Sequence, residues 1–451
     1  MTLNEFKEKL FERASQEGFE EYEIYYVDGE SFAVAVYNKE IDKYDVNTTL
    51  GLSFRGKYQG KMGYAYTEVL DDEAVELLIK NAKANAVLIE NEDEEVIYGE
   101  QDHYAQLDGF NPELSQVDAE EVIRLTLDME EKALARSDKV KTVQYCDAEL
   151  VAGNSRIINS KGLDVSYRSN YMYGFLVPVV QEGDRRNTAV AFKGTKRFEE
   201  FRSEDLAREA VDDALAHLGG EPVESGKYRI ALRNSAAAQL LSTFAGIFSA
   251  DNVQKGMSLL KGKVGTTIAS PKVTILDDPL LKDGACSRPF DAEGVASYTK
   301  DVIKEGVLQT LLHNLKTALK DGVKSTGNAS RASFKSPVNV SPSNFYIQPG
   351  EQGFDELLAE LGDGLLITDL QGTHSGANPV SGDFSLAAKG FLVEKGKIQR
   401  PVEQITVAGN FYKVLEEIEA VASDLKFGLP SGSGCCGSPT LLIKELSVAG
   451  K

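Results

Sequence analysis

The stretch GLLITDLQGTHSGANPVSGDFSLAAKGFLVEKGKIQRPV, residues 364–402, contains two strand-like runs on either side of a turn-rich segment. The runs GLLITDL and FSLAAKGFLVEKGKIQRPV are rich in apolar residues and punctuated by glycine, a pattern typical of β-strands. Between them, Gly, Asn, Pro and Ser mark tight turns, and Asn378-Pro379 is a favoured turn start. The stretch therefore predicts β-structure that presents a glycine-rich loop, whose backbone can approach a ligand closely.

The same loop carries the residue types of a Ser-His-Asp hydrolase, but not their usual arrangement. A hydrolase nucleophile commonly lies in a G-x-S-x-G turn between a strand and a helix. GTHSG at 372–376 lacks that spacing, and a strand-like run comes next where a helix would be required. His374 and Ser375 are sequence neighbours, which makes it hard for one to act as base toward the other. We therefore expect His374, Ser375, Asn378 and Asp383 to line a cleft or shape the loop, without a catalytic role.

Outside this stretch, the sequence predicts an α+β protein with three regions. Residues 1–100 are predicted to contain a helix over 3–17, four short strands and a second helix. Among those strands, EYEIYYVD and SFAVAVYN are separated by Asp28-Gly29-Glu30, which is a turn signal. After an acidic linker that begins at NEDEE, residues 101–222 show the helix–strands–helix plan again. An internal duplication and a merely shared architecture both explain that similarity.

Residues 223–451 are predicted to form a large β-rich C-terminal domain with two helices. The first is NSAAAQLLSTFAGIFSADNVQKG, residues 234–256, with Asn234 or Ser235 as its N-cap. The second is NFYKVLEEIEAVASDL, residues 410–425. Glycine-punctuated strand-like runs make up most of the remainder, so we expect sheet to dominate this region.

Composition and charge exclude several classes of protein. With 49 Lys and Arg against 70 Asp and Glu, the 451-residue chain has a net charge of −21. That excess disfavours nucleic-acid binding, which depends on neutralising phosphates. The sequence shows no apolar run of membrane-spanning length and no secretory signal, so we expect a cytoplasmic protein that does not interact with membranes.

Metal-binding and thiol motifs are also weak in this sequence. The four histidines, at 103, 217, 313 and 374, are far apart, and neither H-E-x-x-H nor C-x-x-C occurs. His217 falls near the end of a predicted helix, which suggests a capping or surface role. We interpret Cys435 and Cys436 as small, partly buried thiols, because the sequence shows no base beside them.

Further stretches surround the opening one in a fixed order: DDPLLKDGACSRPFDAEGVASYTKDVIKEGVLQTLLHNLKTA (277–318), STGNASR (325–331), NFYIQPG (344–350) and the terminal SPTLLIKELSVAG. Together they resemble the TldD/PmbA family, once named for a link to DNA gyrase and now associated with peptide hydrolysis. The N-terminal regions are similar to those of the family too, with weaker motifs. The resemblance therefore extends over essentially the whole chain.

The resemblance also predicts how metal is handled. TldD-type members carry H-E-x-x-x-H on a helix, which holds a catalytic metal together with a later cysteine. PmbA-type members, also called TldE, lack that motif and pair with a TldD-type chain. Here the two histidine positions fall at Leu241 and Gly246, and the glutamate position falls at Ser242. None of these residues can serve as histidine ligand or carboxylate base. Cys436 resembles the cysteine of PmbA-type tails and is not assigned to metal.

By this resemblance the chain is a PmbA/TldE-like subunit without catalytic residues, metal site or cofactor of its own. The family implies a TldD-type metallopeptidase partner that holds a metal ion, a peptide or unfolded-protein substrate, and a homo- or heterodimer. Arg288 and Asn328 join the loop residues as candidate substrate contacts. Arg288 either pairs with Asp291 or Glu293 or faces a substrate carboxylate. Two alternatives stay open: a non-enzymatic regulator of a toxin–antitoxin system or gyrase, and a stand-alone cysteine or serine hydrolase.

Overall fold

The computed structural model describes residues 1–90, 93–100, 103–431 and 434–451. The predicted acidic linker begins at residue 91, so residues 91–92 and 101–102 of it lie outside the described residues. Its described part is irregular but packed, because Ile97 and Tyr98 are buried and Asn159 Nδ2 donates to the Tyr98 carbonyl at 2.8 Å. The connection between the first two predicted regions therefore packs against the rest of the protein.

The N-terminal half is an antiparallel sheet covered by helices. Its helices are α1 (Leu3–Gln16), α2 (Asp72–Val87), α3 (Ala119–Arg136) and α4 (Ser203–Ala216). Its strands are β1 (Glu21–Tyr37), β2 (Glu40–Tyr58), β3 (Lys61–Thr67), β4 (Val140–Asn159), β5 (Asp164–Glu182), β6 (Arg185–Thr188) and β7 (Ala191–Thr195). Helix α1 begins with a capping box, in which the Thr2 hydroxyl accepts from the Glu5 amide and the Glu5 carboxylate accepts from the Thr2 amide. The first predicted helix is confirmed.

The strands of the two predicted N-terminal regions belong to one sheet. Their order is β3-β2-β1-β4-β5-β6, with β7 also pairing with β5. Strands β1 and β4 join the regions, since Glu23–Ala35 pair with Asn159–Asp147. The helix–strands–helix plan does occur twice along the chain, but the structure merges both copies into a continuous layer.

The predicted turn at Asp28-Gly29-Glu30 is wrong, because β1 runs straight through it. Gly29 pairs with Thr49 on one side and with Gly153 on the other. A Cβ atom on Gly29 would lie 2.6 Å from the carbonyl oxygen of Ala152. The glycine thus permits close approach of neighbouring strands, a role that sequence alone does not distinguish from a turn. The chain reverses ten residues later, at Asn38 and Lys39, which both have positive φ.

The C-terminal half is β-rich, as predicted. Its helices are α5 (Asn234–Phe244), α6 (Ala250–Gln254), α7 (Leu315–Asp321), α8 (Phe354–Leu361), α9 (Thr373–Gly376) and α10 (Phe411–Glu416). Its strands are β8 (Gly226–Leu232), β9 (Ile275–Asp277), β10 (Lys300–Lys304), β11 (Val307–Leu308), β12 (Ala329–Ser330), β13 (Asn339–Val340), β14 (Asn344–Ile347), β15 (Gly364–Gln371), β16 (Asp383–Glu394), β17 (Lys397–Asn410), β18 (Ile418–Val421), β19 (Lys426–Phe427), β20 (Cys435–Ser438) and β21 (Leu441–Ala449). The opening stretch thus forms β15, a loop, β16 and the start of β17.

Two larger sheets organise this half. One has the order β17-β16-β15-β8-β21-β18, and β17 closes back onto β21 where Thr406–Ala408 pair with Ser447–Ala449. The other has the order β11-β10-β9-β14-β20-β19. Helix α5 packs against β15 of the first sheet and β20 of the second. Its buried Phe244 stacks on Phe411 with ring centroids 4.6 Å apart, so the helix is anchored in the largest hydrophobic core.

Both predicted C-terminal helices differ from the structure. The run 234–256 becomes helical at Asn234, so the N-cap position is Arg233, one residue before the expected cap, and no side chain caps the helix. It also breaks into α5, a 3₁₀ turn at Ala245–Phe248 and α6. The run 410–425 leaves the helix after Glu416, because Ile418–Val421 pair with β21 as strand β18. There, tertiary pairing overrides the local helical pattern.

A cluster of buried ionised side chains joins the two halves. Arg55 Nε lies 2.8 Å from Glu23 Oε1, and its Nη1 lies 2.9 Å from Glu293 Oε1. Arg331 Nη2 lies 3.4 Å from the same Glu23 oxygen. We call Glu23, Arg55, Glu293 and Arg331 the ionic network. Burial alone would lower the pKa of Arg55, but the carboxylates of Glu23 and Glu293 outweigh it and raise that pKa.

The structure confirms the α+β class, with helix–strand regions first and a β-rich part after them. Within the described ranges, no helix is both long and apolar enough to cross a membrane. The halves meet along the ionic network on one side. On another they leave an open space, which contains the candidate site.

Candidate functional site

A cleft of about 790 Å³ lies at the junction of the two halves. Its walls come from three distant parts of the chain: residues 188–192 beside β6 and β7, helix α5, and the loops that follow β15 and β19. We call this space the α5 cleft. Apolar side chains, among them Phe192 and Phe427, line it together with polar groups. That mixture is typical of a binding site.

One face of α5 supplies the polar side of the cleft. Ser235, Gln239 and Ser242 lie four and then three residues apart, so they share one helical face, and all three line the cleft. The opposite face carries Leu241 and Phe244, which are buried in the core. The helix therefore presents hydroxyl and amide groups to the cleft while its apolar side fixes its position.

The glycine-rich loop after β15 forms the rim. Gly372 has φ of +78°, and its carbonyl accepts from the amides of Ser375 at 3.0 Å and Gly376 at 2.8 Å. This single helical turn exposes His374, which lines the cleft. Ser375 is exposed as well, and its hydroxyl donates to the Gly372 carbonyl at 3.3 Å. The loop geometry places His374 at the cleft and uses Ser375 within the turn.

Asn378 and Asp383 hold the far end of this loop. Asn378 Oδ1 accepts from the amides of Val380 at 3.0 Å and Ser381 at 3.2 Å. Asp383 Oδ1 accepts from Asn410 Nδ2 at 2.8 Å, and hydrogen bonds from Asn410 and Ser381 lower the pKa of Asp383. Both side chains therefore shape the loop. Their contact with a substrate stays a prediction.

Charged groups on the cleft walls are fixed by neighbours. Asp213 of α4 pairs with Arg233 at 2.6 Å, and Lys389 Nζ donates to the Thr188 carbonyl at 2.6 Å. Lys426 pairs with Glu209. Because cations and anions both occur, the cleft has no single sign of charge. It suits a ligand whose recognition depends on backbone groups and apolar contact.

His217 lies behind these charged groups and links α4 to β15. It is fully buried, with Nδ1 2.7 Å from the Asp213 carbonyl and Nε2 2.8 Å from Thr368 Oγ1. A neutral ring satisfies both contacts, and burial lowers the pKa of His217. The prediction of a capping position is confirmed, since His217 is the C-cap residue of α4. The predicted surface alternative is wrong.

The positions equivalent to metal ligands do not fit a metal ion. Leu241 is buried in the core and has no donor atom, and Gly246 has no side chain. Ser242 alone offers an oxygen, and neutral hydroxyls are poor ligands beside the thiolates, imidazoles and carboxylates that hold zinc. Across the described residues, no group of three or more His, Cys, Asp and Glu side chains is arranged to hold a metal.

Cys436 lies on the cleft floor beside Ser242. It is 3% exposed, and burial raises its pKa to about 12 although the Ser242 hydroxyl hydrogen-bonds to it. A nucleophilic cysteine needs a thiolate near neutral pH. Cys436 in this environment is therefore a packed thiol, and residues 432–433 of its glycine-rich segment lie outside the described residues.

Arg288 lies away from the cleft, on the loop between β9 and β10. Its Nε and Nη2 atoms are buried and have no hydrogen-bond partner among the described residues. Glu293 pairs with Arg55, and Asp291 accepts backbone amides, including that of Ala329 at 2.9 Å. The internal ion pair considered for Arg288 is therefore absent from the described residues. A role in binding a substrate carboxylate stays a prediction.

Asn328 also lies outside the cleft and is fully buried. Its Nδ2 donates to Asp277 Oδ2 at 2.7 Å and to the Ser341 carbonyl at 3.1 Å. Its Oδ1 accepts from Lys300 Nζ at 3.3 Å and Thr326 Oγ1 at 2.7 Å. The amide thus uses its hydrogen bonds inside the protein, next to the buried Asp277–Lys300 ion pair. The structure places Asn328 as part of the core.

Of the predicted site residues, the structure brings His374 to the cleft and leaves Arg288 and Asn328 elsewhere. Sequence reasoning missed Ser235, Gln239 and the wall at 188–192. The regular polar stripe on α5 could have been noticed, but it resembles an ordinary solvent-facing helix face. The wall at 188–192 carries no motif.

Comparison with known proteins matches most of the chain to one family, in three consecutive segments. Residues 22–86 match domain 1 of the PmbA/TldA metallopeptidases, residues 112–218 match the central domain and residues 225–450 match the C-terminal domain. Metalloprotease PmbA of Escherichia coli O157:H7 is 29% identical over 346 residues, which cover 76% of this chain and 73% of that protein.

Two solved structures are similar throughout. A Thermotoga maritima protein, for which modulation of DNA gyrase has been suggested, is 32% identical with a TM-score of 0.92, covering 99% of this chain and 100% of the other. TldE from Thermococcus kodakarensis has a TM-score of 0.89 at 23% identity, with 99% and 100% coverage. At that identity the second likeness establishes the shared fold alone.

Proposed function

The chain belongs to the PmbA/TldA metallopeptidase family, as a PmbA/TldE-type member, and we propose that it is the non-catalytic subunit of a TldD/TldE-type peptidase. In this role it contributes part of the dimer and a cleft that holds extended peptide. A TldD-type partner supplies the metal ion and the hydrolytic step. The observation that carries the proposal is helix α5 with the 3₁₀ turn after it: the helix lines a cleft, but the ligand positions are Leu241 and Ser242 in the helix and Gly246 in the turn.

The shape of the α5 cleft supports an extended peptide as ligand. Strand β19 is the last strand of its sheet, so its outer edge has no strand partner among the described residues. Lys426, Phe427 and Gly428 of that edge line the cleft. An extended peptide can add to such an edge through backbone hydrogen bonds, with side chains alternating between the two sides.

The chemistry of the cleft supports a non-catalytic role for this chain. Hydrolysis of an amide needs an activated nucleophile and stabilisation of the oxyanion. His374 is exposed at the rim, Ser375 is engaged in the turn, and Cys436 is a high-pKa thiol. None of these forms a nucleophile–base pair, so the residues of this chain can position a peptide but do not supply the reaction.

Reconstitution tests this proposal. The purified chain, a TldD-type chain with H-E-x-x-x-H, and their mixture are compared for cleavage of an unfolded test peptide. We expect no cleavage by this chain alone and cleavage by the mixture, which co-elutes as a complex and loses activity with a chelator. As a matched pair, glutamine in place of the partner's motif glutamate abolishes activity, whereas Ser242→Ala at the equivalent position of this chain does not abolish it. Cleavage by this chain alone, persisting after chelation, would refute the proposal.

A further inference from the structure

The loop between β9 and β10 brings a partly exposed cysteine next to strand β20. The backbone amide of Cys286 donates to Asn344 Oδ1 at 3.1 Å, and Asn344 Nδ2 donates to Ser287 Oγ at 3.0 Å. Asn344 is in turn the register partner of Cys435, across the parallel pair of β14 and β20. The Asn344 side chain, which accepts one of these hydrogen bonds and donates the other, therefore holds the Cys286 loop beside Cys435.

The side chains of Cys286 and Cys435 are hydrogen-bonding neighbours. The Cys435 thiol also donates to the Gly428 carbonyl oxygen at 3.5 Å. The hydrogen bond from Cys435 lowers the pKa of Cys286, and against burial the nearby positive charge of Arg288 lowers it further. The same contact and burial raise the pKa of Cys435. The pair is thus asymmetric, with the thiolate favoured on Cys286, the more exposed of the two residues.

The other cysteines do not share this arrangement. Cys436 follows Cys435 in β20, so its side chain points to the opposite face of the strand, where it meets Ser242 at the cleft floor. Cys146 is buried in the N-terminal half, and its thiol donates to the Thr126 carbonyl. Of the four described cysteines, only Cys286 has Arg288 beside it. Two buried guanidinium nitrogens of Arg288 have no hydrogen-bond partner among the described residues.

We propose that Cys286 and Cys435 form a reversible disulfide when a hydroperoxide oxidises the protein, with Cys286 reacting first and Cys435 resolving the intermediate. The Cys286 thiolate attacks one peroxide oxygen, the O–O bond breaks, and the other oxygen leaves as hydroxide and is protonated to water. Cys286 becomes a sulfenic acid. The Cys435 sulfur then attacks the Cys286 sulfur, an S–S bond replaces the S–O bond, and the oxygen leaves as water with the Cys435 proton. Two thiols and one hydrogen peroxide thus give one disulfide and two waters.

The full-length reduced chain is treated with hydrogen peroxide, blocked with N-ethylmaleimide and digested with trypsin without reduction. We expect a cross-link between the peptides 283–300 and 427–444, loss of two of the four free thiols, and recovery of both with dithiothreitol. Because the second peptide contains both Cys435 and Cys436, variants assign the partner. Cys436→Ser retains the cross-link, whereas Cys435→Ser loses it and accumulates a dimedone-reactive sulfenic acid at Cys286.

Several results would overturn the proposal: no cross-linked pair in the wild-type chain, a cross-link that persists in Cys435→Ser, or a disulfide formed between chains.

The rate at which Cys286 consumes peroxide tests the contribution of Arg288. Arg288→Met slows peroxide consumption by Cys286 several-fold, and Arg288→Lys, which keeps the charge, restores most of the rate. Equal rates in wild type and Arg288→Met would exclude Arg288 from the site. Since the readout is the cross-link itself, it does not depend on the proposed peptidase role.

Discussion

The α5 cleft and the ionic network both place polar side chains at the junction of the two halves, but they do so in opposite ways. In the network, Arg55 is 4% exposed and contacts two carboxylates, so its charges are matched inside the protein. In the cleft, Ser235 and Gln239 lie on an open helix face with room for another molecule. The first arrangement uses polar groups to hold the fold together, and the second leaves them available.

The difference shows why chemistry-bearing residue types do not by themselves locate a function. Arg288, Asn328 and Asp291 have the side chains of a binding site, yet Asn328 and Asp291 are committed to internal hydrogen bonds. Serine and glutamine on α5 attract less attention in a sequence. The serine and glutamine side chains face open space because the surrounding elements of the fold leave the α5 cleft in front of them.

The strongest test of the comparison is removal of the shared cation, Arg55→Met. The change leaves Glu23 and Glu293 buried without their main partner, and breaking such a pair costs about 3–5 kcal/mol. Urea unfolding measures the loss. The control is Arg13→Met, since Arg13 also contacts two glutamates, Glu17 and Glu76, but is partly exposed, so solvent screens both pairs and its loss should cost much less than that of Arg55. Equal costs for the two variants would mean that burial does not distinguish the network.

A second test concerns the core position of Asn328. Asn328→Ala leaves Asp277 and Lys300 short of a hydrogen-bond partner, which should reduce the free energy of unfolding by about 1–3 kcal/mol. Asn378→Ala in the exposed loop serves as control and should change it by less than about 1 kcal/mol. If Asn328→Ala weakened peptide binding without a loss of stability, Asn328 would belong to the binding surface after all.

A third, smaller effect is a pH dependence that arises from His217. Burial lowers its folded pKa below 6.5, so below about pH 6.5 the unfolded chain binds a proton that the folded chain does not, and stability falls as pH decreases. Asp291 acts oppositely, because burial and Glu293 raise its pKa to about 7. The informative quantity is therefore the difference between wild type and His217→Gln.

Chemical unfolding at pH 7.5 and pH 5.5 measures this difference. The stability of wild type relative to His217→Gln should decline toward pH 5.5, because only the wild type carries the depressed His217 pKa. A relative stability that stays constant or rises toward acid pH would show that His217 is not held neutral.

The parts of the fold that sequence predicts are those fixed by local chemistry. Thr2 caps α1 through its neighbour Glu5, and Gln59-Gly60 turn between β2 and β3 with positive φ. Gly29 and the segment 418–421 could not be predicted this way, since strands distant in sequence decide their conformation. Gly29 carries a local pattern for a turn, and segment 418–421 carries one for a helix. In each case, pairing with distant strands overrides the local pattern.

The site divides along the same line. Glycine and asparagine chemistry predicts the loop that carries His374, because a tight turn depends on its own residues. The cleft as a whole depends on 188–192, α5 and β19 coming together, and no local signal encodes that meeting. The resemblance to the family identified Leu241, Ser242 and Gly246 as the positions that bind metal or carry the glutamate in TldD-type chains. Local sequence patterns do not indicate this.

Binding of peptide to the metal-free chain shows most directly whether the α5 cleft itself holds peptide. Fluorescence anisotropy with a labelled unfolded peptide compares wild type, Gln239→Trp, which fills the cleft, and Gln399→Trp, which adds the same bulk on an exposed strand. We predict that Gln239→Trp weakens binding by about tenfold or more, equivalent to about 1.4 kcal/mol, with unfolding free energy within about 0.5 kcal/mol of wild type. Gln399→Trp should bind as wild type does. Equal affinity in all three chains would show that the α5 cleft does not hold peptide.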